Sequence, residues 1–366
     1  MTTTEFSTPV STKSIPWSWY SDPAVAGVEQ RQLFASSWQY FSSGEQLTKP
    51  GDFLAGEHGK VPVVLVRDDD NQLRGFVNVC RHRGTRICLG AGNQRTLQCP
   101  YHAWTYELNG RLRSAPRSNR EADFDPSALG LRPVQVDTWG PMVFVNTDLE
   151  AAPLAESLGT LPELVAEVGV DVSRLRFYRR MPHDTAANWK IIIENYLECY
   201  HCQINHPGFS SVMDVGPDRY ELSAAGPILS HRTPLKERRR STPYDIEGEI
   251  TVGSYYVVLP SMTVDINPGR LNLAISNSFP DGPLRTSGIT DAYFAEGVDP
   301  DWADDLIAFD AQVGMEDQAL VEAAQIGLLN GIIDQGRLLG ESEQLLLAFE
   351  RFVSERCEPF LPARES

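Results

Sequence analysis

The chain has 366 residues, 42% of them hydrophobic and 22% charged, enough apolar material for the cores of one large or two medium soluble domains. Its formal net charge of −17 argues against a nucleic-acid backbone or an anionic membrane as partner. No basic segment followed by an apolar run opens the chain and no run of about 18 apolar residues occurs, so neither a signal peptide nor a membrane-spanning helix is expected, and the protein is expected in the cytoplasm.

In chain order, residues 1–36 read as a polar arm followed by a short helix, "DPAVAGVEQRQLF". From about 40 to 150 the pattern is that of strands. "VPVVLVRDDDNQLRGFVNV" (61–79) places two apolar runs around an acidic, turn-prone centre and predicts a hairpin. "GPMVFVN" (140–146) predicts a buried strand. A short helical piece, "LAESLGTLPELVAEVG", follows, and the domain boundary is placed just before it, between 152 and 153. "TAANWKIIIENYLECYHC" spaces its apolar residues as a helix does, "SYYVVLPSMTVDINPGRLNLAISNSF" (254–279) alternates as strands do, and 300–329 predicts a long helix with Pro300 at its start. "SEQLLLAFERFVSERC" reads as a final amphipathic helix. The fold class expected is α+β.

Six cysteines (80, 88, 99, 199, 202 and 357) stand close to histidines instead of spreading as a disulfide framework, which in a reducing compartment favours metal binding over bridges. The first constellation is "CRHRGTRICLGAGNQRTLQCPYH". Cys80 and His82 are one residue apart, Cys99 and His102 two, and each pair falls where a strand gives way to a loop. Two thiolates and two imidazoles suit zinc or a [2Fe–2S] cluster. Zinc fingers usually pair Cys with Cys and His with His, whereas here each loop contributes one of each. That order favours a dinuclear cluster with both cysteines on one iron and both histidines on the other. Cys88 has no histidine at either offset and reads as a small buried residue.

"NVCRHRGTRIC" followed by "CPYHAWTYELNGRL" resembles the Rieske domain of the large (alpha) subunits of Rieske non-haem iron oxygenases, a resemblance that extends to Arg81, Arg83, Gly84, Trp104, Tyr106 and Gly110. It covers about residues 35–350. It implies a Rieske [2Fe–2S] β-domain at 37–152 and a catalytic domain at 153–366 with a central antiparallel sheet covered by helices, against which residues 1–36 pack.

The second constellation is "ENYLECYHCQINHPGF" (194–209). Oxygen activation at a mononuclear iron usually takes two histidines and one carboxylate on one face of the metal. His201 and His206 supply the histidines. If the segment is helical, Glu198 and His201 share a face, and Pro207 pushes His206 out of helical geometry so that it can fold back. Cys199 and Cys202 read as packing residues, since thiolates suit zinc or copper better than this iron. The carboxylate must come from elsewhere. On the long helix Asp317 lies along the apolar stripe that includes Leu306, Val313, Leu320, Val321 and Ala324, with Asp310 near the same face and Glu316 turned towards the polar edge. A buried aspartate is costly unless a partner such as a metal meets it. The resemblance favours Asp317 over Asp310, because "MEDQALVEAAQIGLL" looks like the family's iron-binding helix.

The resemblance also implies the remaining roles. Glu198 would be a hydrogen-bonded electron-transfer bridge, in a homotrimer, from the mononuclear site of one subunit to His102 of its neighbour. Glutamate at this position is shared with the choline, carnitine and glycine-betaine monooxygenase-like members. Electrons would come from a separate NAD(P)H-dependent flavin/iron–sulfur reductase, and O2 with mononuclear Fe(II) would hydroxylate or oxidatively demethylate a small quaternary ammonium compound. A trimethylammonium head calls for aromatic faces, and Phe209, Tyr255, Tyr256 and Met262 are the candidates. Two other readings stand beside this one: an aromatic-ring-hydroxylating oxygenase, and a Rieske electron carrier without catalysis.

Overall fold

The computed structural model describes residues 12–237 and 241–362; the first eleven residues of the expected N-terminal arm lie outside them. By contacts the chain divides into two units. One is Ala35–Leu154; the other joins the segment up to Phe34 to everything from Ala155 onward. These cuts fall two residues before the expected 36/37 and two after the expected 152/153.

The second unit begins with α1 (Pro23–Glu29), capped by the Asp22 carboxylate on the Ala24 N–H. The chain then enters the first unit, built from ten strands: β1 (Gln39–Ser43), β2 (Asp52–His58), β3 (Val61–Arg67), β4 (Leu73–Val77), β5 (Ala91–Asn93), β6 (Leu97–Gln98), β7 (Thr105–Tyr106), β8 (Leu112–Ser114), β9 (Pro133–Trp139) and β10 (Met142–Asn146). Seven form one antiparallel sheet in the order β1-β10-β9-β4-β3-β2-β5, and β6-β7-β8 form a smaller one. The expected 61–79 hairpin is the β3–β4 pair. Asp68 makes its turn by accepting the N–H groups of Asp70 and Gln72.

Returning to the second unit, the chain runs through α2 (Leu154–Leu158), α3 (Leu161–Glu167), β11 (Leu175–Thr185), α4 (Trp189–Tyr196), α5 (Cys202–Asn205) and α6 (Pro207–Val212). It continues through β12 (Glu221–Ala225), β13 (Ile228–Pro234), β14 (Val252–Val258), β15 (Met262–Ile266), β16 (Asn272–Pro280) and β17 (Thr286–Ala295), and ends with α7 (Pro300–Leu328) and α8 (Gln344–Cys357). The strands make one antiparallel sheet, β11-β17-β16-β15-β14-β13-β12. The long helix α7 starts at Pro300, as its sequence predicts, and the Asp299 carboxylate caps it by accepting the Asp301 N–H.

The predicted helix through "NWKIIIENYLECYHC" is shorter than expected. It stops at Tyr196, and Glu198 lies in the turn beyond it. The reason is local: the Glu198 carboxylate accepts the N–H groups of Tyr200 and His201, which competes with helical hydrogen bonding.

The N-terminal segment packs against its own unit. Ile15, Trp19, Tyr20, Val25, Val28 and Phe34 share a core with Trp189, Ile193 and Phe349. Beneath it, the fully buried Lys190 ammonium meets the Glu29 carboxylate at 2.6 Å, and the Trp189 indole N–H donates to the same carboxylate at 2.9 Å. These contacts fix α4, the helix that leads into the histidine turn. No helix among the described residues is long and apolar enough to cross a membrane.

Candidate metal centres and substrate hollow

In the first unit, the two Cys-His loops repeat one backbone pattern. The Cys80 N–H donates to the Thr85 carbonyl and the Gly84 N–H donates back to the Cys80 carbonyl. Cys99, Trp104 and Ala103 repeat these bonds in the second loop. Both loops turn through positive φ four residues after the cysteine, at Gly84 (73°) and Ala103 (57°). The cysteines are buried, at 2% exposure each, while His82 and His102 are exposed. The two imidazoles lie 4.7 Å apart between centroids, and His82 stacks on Trp104. The Tyr106 hydroxyl lies 3.3 Å from the Cys80 sulfur and accepts the Arg81 N–H. Burial pushes the Cys99 thiol up, and the adjacent Cys80 adds to this. Two buried cysteine sulfurs side by side are soft donors of the kind an iron pair takes as thiolates. The donor set, with sulfurs inside and nitrogens outside, fits a [2Fe–2S] cluster. Cys88 sits in the same core, its thiol raised by burial to about 11, with Asn78 bonding its backbone.

In the second unit, His201 closes the turn after α4, and His206 sits between α5 and α6 with φ −118° and ψ 72°, outside helical geometry as Pro207 requires. His201 Nε2 and His206 Nε2 lie 3.1 Å apart. Asp317 Oδ1, from α7, lies 3.0 Å from His206 Nε2 and 3.4 Å from His201 Nε2. At metal–ligand bonds of about 2.1 Å, mutually perpendicular donors stand about 3.0 Å apart, so this triangle is one face of an octahedron.

The electrostatics ask for a cation. Burial pulls the His201 imidazole down, but hydrogen bonds and charge from Asp317 and Glu198 override it and bring it up to about 9. Burial pushes the Asp317 carboxyl up, yet both histidines and Asn195 hold it at about 2. Protons here occupy the place of a metal's charge.

The outer edges of both imidazoles are also held. His201 Nδ1 meets the Glu198 carboxylate, and His206 Nδ1 lies 2.8 Å from Glu316 Oε2. The Asn195 amide donates to Asp317 Oδ1 at 2.7 Å. Glu316 therefore faces the site rather than the polar edge where the sequence placed it. Its adjacency to Asp317 was the available signal, but a helical wheel cannot see a ligand arriving from another segment. Asp310, the alternative carboxylate, lies elsewhere: it accepts from the Asn267 amide.

Cys199 and Cys202 are not metal ligands but a disulfide, buried beneath the turn, which corrects the expectation that no cysteines bridge. Cys202 lies beside both histidines in space, yet the bond to Cys199 occupies its sulfur. The tight turn brings the two α-carbons to 4.9 Å, within disulfide range.

The sheet face beside this centre is set by register. His231 on β13 pairs with Tyr255 on β14, Tyr255 with Asp265 on β15, and the row continues to Ala274 and Ala292. Directly paired residues share a face. Tyr196, from α4, donates its hydroxyl to Asp265, and Phe209, from α6, packs on Tyr255 at 5.9 Å between centroids. Phe209 and Tyr255 thus border the site, joined by Tyr244 and Phe309. Tyr256 and Met262 do not. Tyr256 pairs with Val264, and Val258 with Met262, on the opposite face, where the Tyr256 hydroxyl meets the Leu164 carbonyl. The two-residue strand period turns them away. The sequence missed Tyr244, Phe309, His231, Asp265 and Asn267, because strand pairing and a distant loop bring them together.

Residues 37–137 match the Rieske [2Fe-2S] domain, and residues 172–359 match the family described as ring hydroxylating alpha subunit (catalytic domain). The carnitine monooxygenase oxygenase subunit of Escherichia coli (strain K12) is 33% identical over 90% of this chain and 88% of its own length. The chloroplastic choline monooxygenase of Spinacia oleracea is 29% identical, covering 93% of this chain and 77% of its own. A crystal structure of the quaternary ammonium Rieske monooxygenase CntA with L-carnitine superposes with a TM-score of 0.81 at 28% identity, covering 94% of this chain and 96% of that one. Naphthalene 1,2-dioxygenase from Rhodococcus, at 18% identity and a TM-score of 0.76, shares the fold. This chain belongs to the Rieske non-haem iron oxygenases, as a ring-hydroxylating-type alpha subunit. It is an oxidoreductase whose family uses a Rieske [2Fe–2S] cluster and a mononuclear iron, and an oxygenase subunit of this kind works with a separate reductase on a small molecule.

Proposed function

We propose that this protein is the terminal oxygenase of a quaternary ammonium monooxygenase system, hydroxylating or oxidatively demethylating a carnitine-, betaine- or choline-like substrate. The observation that carries the reading is the His201–His206–Asp317 triangle beside aromatic rings on the sheet face. In this reading Cys80, Cys99, His82 and His102 hold the [2Fe–2S] cluster within residues 37–152, and His201, His206 and Asp317 hold the mononuclear iron within residues 153–366. When bound, that iron supplies O2 activation. Glu198 and Glu316 fix the imidazole tautomers so that both Nε2 atoms present lone pairs to one point. Tyr255 and Phe209 offer ring faces to a cationic head.

Glu198, bonded to His201, is the bridge to His102 of the partner subunit in a homotrimer. Support for assembly comes from large apolar side chains left exposed near the site and the end of α7: Tyr200, Ile204, Ile326 and Ile332. The electron donor is an NAD(P)H-dependent flavin/iron–sulfur reductase. Oxygen consumption with such a reductase, run over carnitine, glycine betaine, choline and small aromatics, tests the reading. Turnover confined to the ammonium compounds supports it; hydroxylation of the aromatics alone refutes it.

A further inference from the structure

Behind the aromatic rings beside the His201–His206–Asp317 triangle lies a carboxylate that does not join it. Asp310 stands on α7 two turns before Asp317, about 10 Å along the helix axis. Its two oxygens share one donor, the Asn267 amide, at 3.0 and 3.3 Å. That amide cannot rotate, because Asn267 Oδ1 accepts the Tyr255 hydroxyl at 2.9 Å, and the Asn272 amide holds the Asn267 backbone by accepting its N–H and donating to its carbonyl. Among the described residues no lysine, arginine or histidine pairs with Asp310 or with the neighbouring Asp265. A carboxylate at this depth without a cation is costly. Burial and the nearby Asp265 push the Asp310 carboxyl well above the usual carboxylate range. Yet Asp310 is not sealed off and keeps part of its surface accessible.

The surroundings are aromatic. Tyr244 packs on Phe309 at 5.1 Å, Phe309 stacks with Phe209 at 6.4 Å, and Phe209 meets Tyr255. Gly253 lets the Tyr255 ring lie close over the strand, since a β-carbon there would lie 2.9 Å from the Tyr255 oxygen. His231, 6% exposed, stacks on Tyr255. Its Nδ1 meets the Tyr220 hydroxyl, and the ring lies near the Tyr196 carbonyl, but its Nε2 makes no hydrogen bond. Burial, with a contribution from His201, holds that imidazole down at about 3, so it offers a neutral hydrogen-bonding edge and not a positive charge.

We infer that Asp310, held by Asn267, is the counter-charge for the substrate's ammonium head, and that the substrate cleft bordered by these rings selects a monocation with an uncharged polar tail over a zwitterion. This rests on the quaternary ammonium reading above and narrows it. A head seated in the box lies between Asp310 and the iron-binding triangle, with ring faces and a carboxylate both favouring its charge. A substrate carboxylate finds no cationic partner there among the described residues and keeps Asp310 protonated, whereas an ammonium head draws its proton off to solvent. Asp310 is a specificity residue and takes no part in the chemistry at the iron.

The test is calorimetric titration of the iron-loaded full chain with choline, its neutral carbon isostere 3,3-dimethylbutan-1-ol, and glycine betaine, in the native protein and in Asp310→Asn. The native protein should bind choline at least roughly tenfold more tightly than either other ligand. Asp310→Asn, which retains an acceptor for Asn267, should weaken choline by about tenfold or more and leave the isostere unchanged, with iron content and cluster absorbance intact. Equal native affinity for choline and the isostere overturns the inference, even if the variant does not fold. Equal weakening of both ligands by the variant also overturns it, since that marks a packing role. If the native protein binds no ammonium compound, the inference and the proposed function fall together. If it binds and turns over glycine betaine or carnitine in preference to choline, the inference alone falls.

Discussion

His201 and His206 are each gripped from behind by a carboxylate, Glu198 and Glu316 respectively, so each imidazole can point only its Nε2 at the common vertex. Losing one such partner typically costs 10–100-fold in metal affinity or activity. Glu316→Gln should therefore lower iron affinity by about that factor in chelator competition, while the [2Fe–2S] absorbance is unchanged; unchanged affinity would end the role of Glu316 in holding His206. His201→Ala should abolish oxygen consumption with the cluster spectrum intact. Glu198→Gln should keep both metals but slow cluster oxidation in single-turnover mixing with O2 and substrate, and unchanged kinetics would end its role as a bridge.

At the scale of elements, α4 is positioned by charge buried at its start. Lys190 and Glu29 are both fully buried and each is the other's compensation. Removing one member of such a pair leaves the other uncompensated, so Lys190→Met should lower unfolding free energy by about 3–5 kcal/mol in denaturant titration. The α8 carboxylate Glu350 behaves differently. Burial lifts it to about 7 from an ordinary 4.5, although the Ile15 N–H and Tyr20 hydroxyl oppose the shift. A raised folded value means its contribution is fully present below about 4.5 and is lost as pH rises through about 7. Glu350→Gln should match the native melting temperature near pH 4.5 and exceed it at pH 8, by about 1–3 kcal/mol of stability. A constant difference across that range would mean the carboxyl is not shifted.

For the whole molecule, a [2Fe–2S] cluster and one further iron give about three irons per chain and a red-brown preparation. Light scattering should return three times the 40.7 kDa chain. Substituting Ile204 and Ile332 by lysine should dissociate it, because two strongly exposed apolar side chains would no longer be covered by a neighbour. A native monomer that still turns over would separate the assembly from the activity.

Much of this protein was legible from its order of residues, because its strongest signals are local. Cys80–His82 and Cys99–His102 declare themselves by spacing, as Pro207 declares the break beside His206, and the α7 period places Asp317 on a buried stripe. What could not be read depends on chains meeting. The hydrogen bonds of Glu198 end α4 early, against a helical pattern that continues past it. Strand register decides that Tyr255 faces the site while Tyr256 faces away, and a one-residue difference in that register would exchange them. Only folding brings Asp310 under Tyr255 and Glu316 behind His206, since each contact joins segments 43 or more residues apart. The sequence by itself determined which atoms can hold the two metals. The tertiary structure decided which carboxylate joins His201 and His206 and which is held apart by Asn267, because only packing sets the distance and the dielectric around a charge.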